Sequence, residues 1–265
     1  MKFLIAGYGS IGKRHLENII SNNNSEIIVY SKRKDLSNLR KKNIKIFNSL
    51  EKCLAEKPNI GFITNETVHH VPVSKKLATA GLDLFIEKPL SNSTKSVSEL
   101  VKLTKTKKLV TLMGCNLRFH ECIKKIKSLI EQEKIGKIIS VQVECGTYLP
   151  DWHPNEDYSK GYSARDDLGG GVVLTCIHEI DYLYWFFGEV KEVFSFTGKF
   201  SNLKIKSDDL SAIIMKFRNN VIAEIHLDYF QKPETRSCKI IGTKGMIVWN
   251  SSNNQVKLYN LKNNK

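Results

Sequence analysis

In the first part of the chain, short apolar runs alternate with longer amphipathic stretches. Phe3-Leu4-Ile5-Ala6 suits a strand buried on both faces, and residues 26–30, 60–64, 82–86 and 109–114 read as further strands. Helical spacing occupies the segments between them: Ile11, His15, Leu16, Ile19 and Ile20, then residues 50–56, 70–80 and 94–107. Strand–helix alternation predicts parallel pairing and a doubly wound sheet. The pattern changes at about Cys115. A helix over 122–133 leads to an alternating strand over 137–144, and from Val190 onward alternating strands dominate: 193–200, 210–217, 221–227, 238–241 and 246–249. Asn219-Asn220 and the turn 242–245 separate the later ones. The natural product is an open, mostly antiparallel sheet with one face covered and the other left for an oligomer partner. The expected fold is α/β in two domains, residues 1–115 and 116–265.

The first strand runs directly into Gly7-Tyr8-Gly9-Ser10-Ile11-Gly12, a G-x-G-x-x-G turn between a strand and a helix. Gly7 permits the tight turn, Gly9 admits a pyrophosphate close to the backbone, and Gly12 lets the helix pack on the strand. Free N–H groups at the helix start face the anion. This predicts dinucleotide binding. The second strand ends in Ser31-Lys32-Arg33-Lys34, where an NAD-preferring site usually carries Asp or Glu for the ribose 2′-hydroxyl. A hydroxyl and a guanidinium there favour NADP, with NAD as the alternative. Ligands in such sheets lie beyond the carboxyl ends of the strands, which selects Thr64, Asn65, His69, Glu87, Lys88 and Asn116 as further cofactor contacts. Lys88 follows an apolar strand and precedes Pro89, which denies it a continuing helix, admits a cis peptide, and aims it into the crevice.

Gly169-Gly170-Gly171 open a strongly apolar stretch that Gly188 closes, and a single helix across it sets Leu174, His178 and Asp181 on neighbouring parts of one face. A histidine in such a helix is a core residue or a proton carrier, and Asp181 could orient it.

Length and composition narrow the class. The chain has 265 residues, 41% hydrophobic and 26% charged, an ordinary globular balance. No apolar stretch approaches the roughly 20 residues that cross a bilayer, and the first strand leaves no room for a signal peptide, so a cytoplasmic protein is expected. Six cysteines without a C-x-x-C pair predict reduced thiols and no metal site. The net charge of +14 is spread along the chain in pairs such as Lys41-Lys42 and Lys75-Lys76, not clustered into a nucleic-acid footprint. Nucleic acid and membrane are therefore not expected partners, whereas an anionic small molecule is.

GYGSIG, FIEKPLS, GCNLRF, GGGVVLTCIHEIDYLYWFFG and the closing KIIGTKGMIVW together resemble the Gfo/Idh/MocA family of nicotinamide-dependent oxidoreductases over nearly the whole chain. The resemblance implies a Rossmann domain plus an open-sheet α/β domain. It also implies an active-site lysine at Lys88 and a helix-borne histidine at His178 near the substrate hydroxyl. Residues 148–154 are similar to a subgroup associated with surface-polysaccharide and acidic-sugar biosynthesis. The reaction so implied is reversible hydride transfer between NADP(H) and a CH–OH or carbonyl carbon of a sugar. In it His178 moves the hydroxyl proton, Lys88 holds the same oxygen, and Asn116, Arg118, Trp152 and Arg165 contact the substrate. Two departures stand out. Leu174 occupies a position where many relatives carry Asp, and the chain stops at Lys265 without a last element that relatives commonly add, so the sequence is truncated or the subgroup lacks it. A non-catalytic dinucleotide or sugar sensor on the same fold is the rival reading.

Overall fold

The computed structural model describes residues 1–22, 25–33, 36, 39 and 44–261; Lys34, Lys41 and Lys42 of the basic runs, and the chain end 262–265, lie outside the described residues. Contacts divide the chain into two compact units, Met1–Gly114 and Cys115–Lys265. Among the described residues no helix is long and apolar enough to cross a membrane.

The first unit is a parallel sheet of six strands: β1 (Lys2–Ala6), β2 (Glu26–Tyr30), β3 (Lys45–Phe47), β4 (Ile60–Ile63), β5 (Asp83–Ile86) and β6 (Thr111–Met113). Their order is β3-β2-β1-β4-β5-β6. Helices α1 (Ser10–Asn22), α2 (Leu50–Ala55), α3 (His70–Thr79) and α4 (Val97–Thr106) connect them. Alternation along β1 divides the core in two. Phe3 and Ile5 pack with Leu16 and Ile19 of α1, whereas Leu4 packs with Leu50, Val71 and Leu77 of α2 and α3. Strand order reverses between β1 and β4, which makes their carboxyl ends the topological switch point. Sequence periodicity did not reveal β3, which is only three residues long and too short to display a period.

The second unit holds a seven-stranded sheet: β7 (Ile138–Tyr148), β8 (Val190–Gly198), β9 (Leu210–Phe217), β10 (Ile222–Asp228), β11 (Phe230–Gly242), β12 (Gly245–Asn250) and β13 (Gln255–Asn260). The order is β13-β12-β11-β7-β10-β9-β8, antiparallel throughout except for the central parallel pair β7 and β10. Helices α5 (Glu121–Glu131) and α7 (His178–Phe187) contribute to the core on one face through Ile123, Ile126, Leu129, Tyr182 and Leu183. Each buried aliphatic side chain there contributes about 1.5–3 kcal/mol. The opposite face pairs Phe194 of β8 with Ile214 of β9, both about half exposed or more at 60% and 49%.

One expectation needs correction. The apolar stretch after the glycines is not a single helix: α6 (Val172–Thr175) ends in a turn at Cys176 (φ −91°, ψ 28°), and His178 begins α7 afresh. The spacing that placed Leu174, His178 and Asp181 on one helical face therefore does not apply across the break.

Candidate functional site

At the switch point of the first unit the glycine turn is built tightly. A Cβ on Gly7, whose φ is +110°, would stand 2.5 Å from the Asn65 nitrogen, and one on Gly12 would stand 2.2 Å from the Gly7 oxygen. The Thr64 hydroxyl donates to that same Gly7 oxygen at 2.7 Å and ties the end of β4 to the turn. Gly9 differs: nothing lies within 4 Å of its missing Cβ. The bare position opens on free space beside the start of α1, whose first-turn N–H groups have no intrahelical acceptor. Those residues fit a dinucleotide pyrophosphate.

From this turn a chain of hydrogen bonds leads to Lys88. His70, the first residue of α3, sets Nε2 2.9 Å from the Asn65 carbonyl and Nδ1 2.7 Å from the Pro89 carbonyl. On the other side of the lysine, Glu87 accepts the Lys88 N–H at 3.2 Å and meets His15 Nε2 of α1 at 2.7 Å. The Lys88-Pro89 peptide is cis, as the proline admitted.

Burial pushes the His70 imidazole below its ordinary value of 6.5, against the raising effect of the Pro89 and Asn65 carbonyls and of Glu87 and Glu66. With the folded value below the unfolded one, the stability this site contributes is full above about pH 6.5 and is lost as pH falls through the folded value. Thermal unfolding from about pH 7 to about pH 5 should therefore cost the wild type more than His70→Gln, which has no proton to take up. Parallel losses in the two proteins would refute that assignment.

At the end of β2, Ser31 is buried and its hydroxyl accepts the Arg33 N–H at 3.2 Å, shaping the turn, while the Lys32 and Arg33 side chains are exposed. Tyr30 to Arg33 bring no carboxylate to this strand end. Tyr8 is half-buried, Ser10 exposed, and Ile11 half-buried on α1. His69 is exposed in the helical turn Thr67–His69.

The remaining candidates belong to the second unit. Asn116 is exposed at the start of the helical turn Asn116–Phe119. Arg118 in that turn makes a two-pronged ion pair with Asp181 of α7, Nε to Oδ2 at 2.9 Å and a terminal nitrogen to Oδ1 at 2.7 Å, with the Trp185 ring 5.7 Å away. Asp181 thus braces Arg118, a partner the helical-face argument did not anticipate. Trp152 is half-buried, its indole N–H donating to Thr147 at 2.8 Å and its ring edge-on to Tyr229. Arg165 is exposed and paired with Asp167 at 3.0 Å.

His178 is 8% exposed, and the adjacent Glu179 is fully buried with an oxygen 2.9 Å from Arg236 Nε. Arg236 reaches on to the Cys145 sulfur at 3.3 Å. The Cys176 hydrogen bond, followed by the Arg236 charge, holds the Cys145 thiol down at about 6 while Cys176 is driven up. All six cysteines are free thiols. The glycine run before α6 is a packing device: a Cβ on Gly170 would meet the Tyr162 carbonyl at 2.2 Å.

Sequence reasoning overlooked His15 and His70. Each is hidden by its neighbours, His15 because it falls on the apolar stripe of α1 and His70 because His69 stands directly beside it. A polar side chain recurring on a core-facing stripe was the available signal.

Residues 1–115 match the model of an oxidoreductase family with an NAD-binding Rossmann fold, and residues 123–248 match the GFO/IDH/MocA C-terminal domain. The uncharacterized oxidoreductase YrbE of Bacillus subtilis (strain 168) is 28% identical over 269 residues, covering 94% of this chain and 73% of that protein. Myo-inositol 2-dehydrogenase of Thermotoga maritima is 26% identical over 266 residues, covering 93% and 74%. Among solved structures, the WlbA dehydrogenase of Bordetella pertussis, in complex with NADH and UDP-GlcNAcA, is similar with a TM-score of 0.87 at 20% identity over 98% of this chain and 77% of that one.

Proposed function

The chain belongs to the GFO/IDH/MocA family of NAD-binding oxidoreductases, and from that premise we propose that it oxidises or reduces a CH–OH or carbonyl carbon of a sugar derivative with NADP(H) in preference to NAD(H). The open space at Gly9 beside the start of α1 carries the dinucleotide part of the reading. The exposed Lys32 and Arg33, at an end of β2 whose described residues Tyr30 to Arg33 bring no carboxylate, support the NADP preference. An anionic nucleotide sugar is the favoured substrate class, supported by the ligand in the WlbA structure and by the net charge of +14.

The nicotinamide, when bound, exchanges a hydride with the substrate carbon. Gly7, Tyr8, Gly9, Ser10, Ile11 and Gly12 receive the pyrophosphate, with Thr64, Asn65, His69, Glu87 and Asn116 as further cofactor contacts. Lys88 steadies the substrate oxygen as negative charge develops on it. His178 takes the hydroxyl proton on oxidation and returns it on reduction. Asn116 and Trp152 are assigned to the substrate, and so are Arg118 and Arg165, whose carboxylate partners Asp181 and Asp167 must then share them. Leu174, half-buried in α6, offers no carboxylate and is the observation that favours the rival sensor, which would bind dinucleotide without turnover.

Parallel titration with NADPH and NADH, followed by nicotinamide fluorescence, tests the reading. Tighter NADPH binding is expected, and Arg33→Asp should weaken NADPH by about tenfold or more while sparing NADH, the loss of one charge-assisted phosphate contact. Equal losses would remove the NADP preference, and no binding of either by folded protein would remove the reading.

The exposed face carrying Phe194, Phe196 and Ile214 is assigned to a second copy of the chain. Sedimentation velocity should give a species larger than a monomer, and Phe196→Glu should return it to monomer. A monomeric wild type would end this assignment.

A further inference from the structure

Lys88 sits between two histidines that the reaction does not use. His15 and His70 come from different helices and are each mostly buried: the His15 side chain is 16% exposed and His70 is 2% exposed. Burying a polar ring is unfavourable unless its nitrogens are bonded. Here those bonds go to the two residues flanking one lysine. His15 stands three residues beyond Gly12, its ring wedged 5.4 Å from Phe62 and 4.8 Å from Phe85, and it meets the Glu87 carboxylate. Glu87 in turn accepts the Lys88 N–H, and its carboxylate fits against Gly114, where a Cβ would stand 2.9 Å from it. His70 reaches the Pro89 carbonyl on the far side and the Asn65 carbonyl of the β4 end.

We propose that His15 and His70 are positioning residues for Lys88, one fixing the carboxylate before it and the other the carbonyl after it, so that the lysine is held in register with the dinucleotide turn. The proposal rests on the reading that Lys88 works on the substrate. Through His15 the bonded path returns to α1, and the Asn65 carbonyl, on the strand end that Thr64 ties to Gly7, lies within reach of the His70 ring as the alternative acceptor. A backbone fixed at both neighbours fixes the point from which the Lys88 side chain extends. Misplacement of a reacting group by about 1 Å is enough to lose about 100-fold in rate. His70 makes a further distinction. Both of its partners are acceptors, and an imidazole carries an N–H on each nitrogen only when protonated. Its neutral form therefore donates to one carbonyl at a time.

The test reads Lys88 itself, in protein without cofactor. Folded wild type, His15→Phe, His15→Gln, His70→Phe and His70→Gln are pulsed with acetic anhydride, and modification of Lys88 is followed by peptide mass spectrometry against exposed Lys105 as internal standard. The phenylalanine variants keep a ring and lose the bonds. They should change the relative Lys88 rate by about threefold or more, the net worth of one hydrogen bond. The glutamine variants restore a donor and should return toward the wild-type rate. Should His15→Phe or His70→Phe fail to fold, the corresponding glutamine variant is compared with the leucine one at the same position. Lys88 rates that stay at the wild-type value in folded variants without the bond would overturn the proposal and reduce both histidines to packing. NADPH and NADH titrations of the wild type run alongside. Failure to bind either would end the dinucleotide reading, whereas the labelling rates judge the positioning role on their own.

Discussion

Replacing His178 by alanine is expected to lower turnover on the sugar substrate by at least about 100-fold, the lower figure for a general acid–base group, while NADH affinity stays at the wild-type level. An imidazole is the side chain best suited in kind to pass a proton near neutral pH. It opens α7 after the break at Cys176, where its backbone is anchored by the helix that follows. Leu174 cannot share the proton, which leaves the proposed exchange dependent on the imidazole. Steady-state kinetics in both directions, with a parallel NADH titration, separate chemistry from cofactor binding. Turnover close to wild type would remove His178 from the mechanism, whereas a wild type that binds dinucleotide without turning over any sugar would bring the sensor reading forward.

Two glycine substitutions should separate cofactor binding from folding. Gly9→Ala adds a methyl group where nothing lies within 4 Å, so thermal stability should be unchanged. That methyl would occupy the approach to the pyrophosphate, and NADH affinity should fall by about tenfold or more. Gly12→Ala meets the Gly7 oxygen at 2.2 Å and the Thr64 hydroxyl oxygen at 3.0 Å, so the turn has to move. Stability should drop by about 1–3 kcal/mol, with binding reduced further than in the Gly9 variant. Melting curves and fluorescence titrations on the two proteins are sufficient. Full NADH affinity in Gly9→Ala would mean that the open space is not where the phosphates lie.

The turn and the alternation of elements were legible because both are local. G-x-G-x-x-G needs only its flanking strand and helix to be interpreted, and Lys88 announced itself by standing between an apolar strand and a proline. What escaped depends on residues far apart in the chain. His15 and Glu87 are 72 positions apart, and Arg118 and Asp181 are 63 apart. No periodicity pairs them. Helical spacing also misled where the backbone departs from a helix, because the apolar run from Val172 to Phe187 contains no glycine or proline to mark the turn at Cys176 and Ile177. The role of Arg118 shows the same limit: a guanidinium suits an anionic substrate and a carboxylate equally well, and only the folded chain brings the distant Asp181 beside it.

The parallel pairing of β7 with β10 also sets an order of events during synthesis. β7, residues Ile138–Tyr148, lies at the centre of its sheet, yet both of its neighbours come from Ile222–Asp228 and Phe230–Gly242. Closing loops of that length has an entropic cost that no short-range contact offsets, so such topologies nucleate slowly. A ribosome that has released the chain only as far as β9 exposes a central strand with neither neighbour and the apolar sides of α5 and α7 without their sheet. During that interval the half-made unit, with its apolar surface uncovered, is a substrate for chaperones and for aggregation.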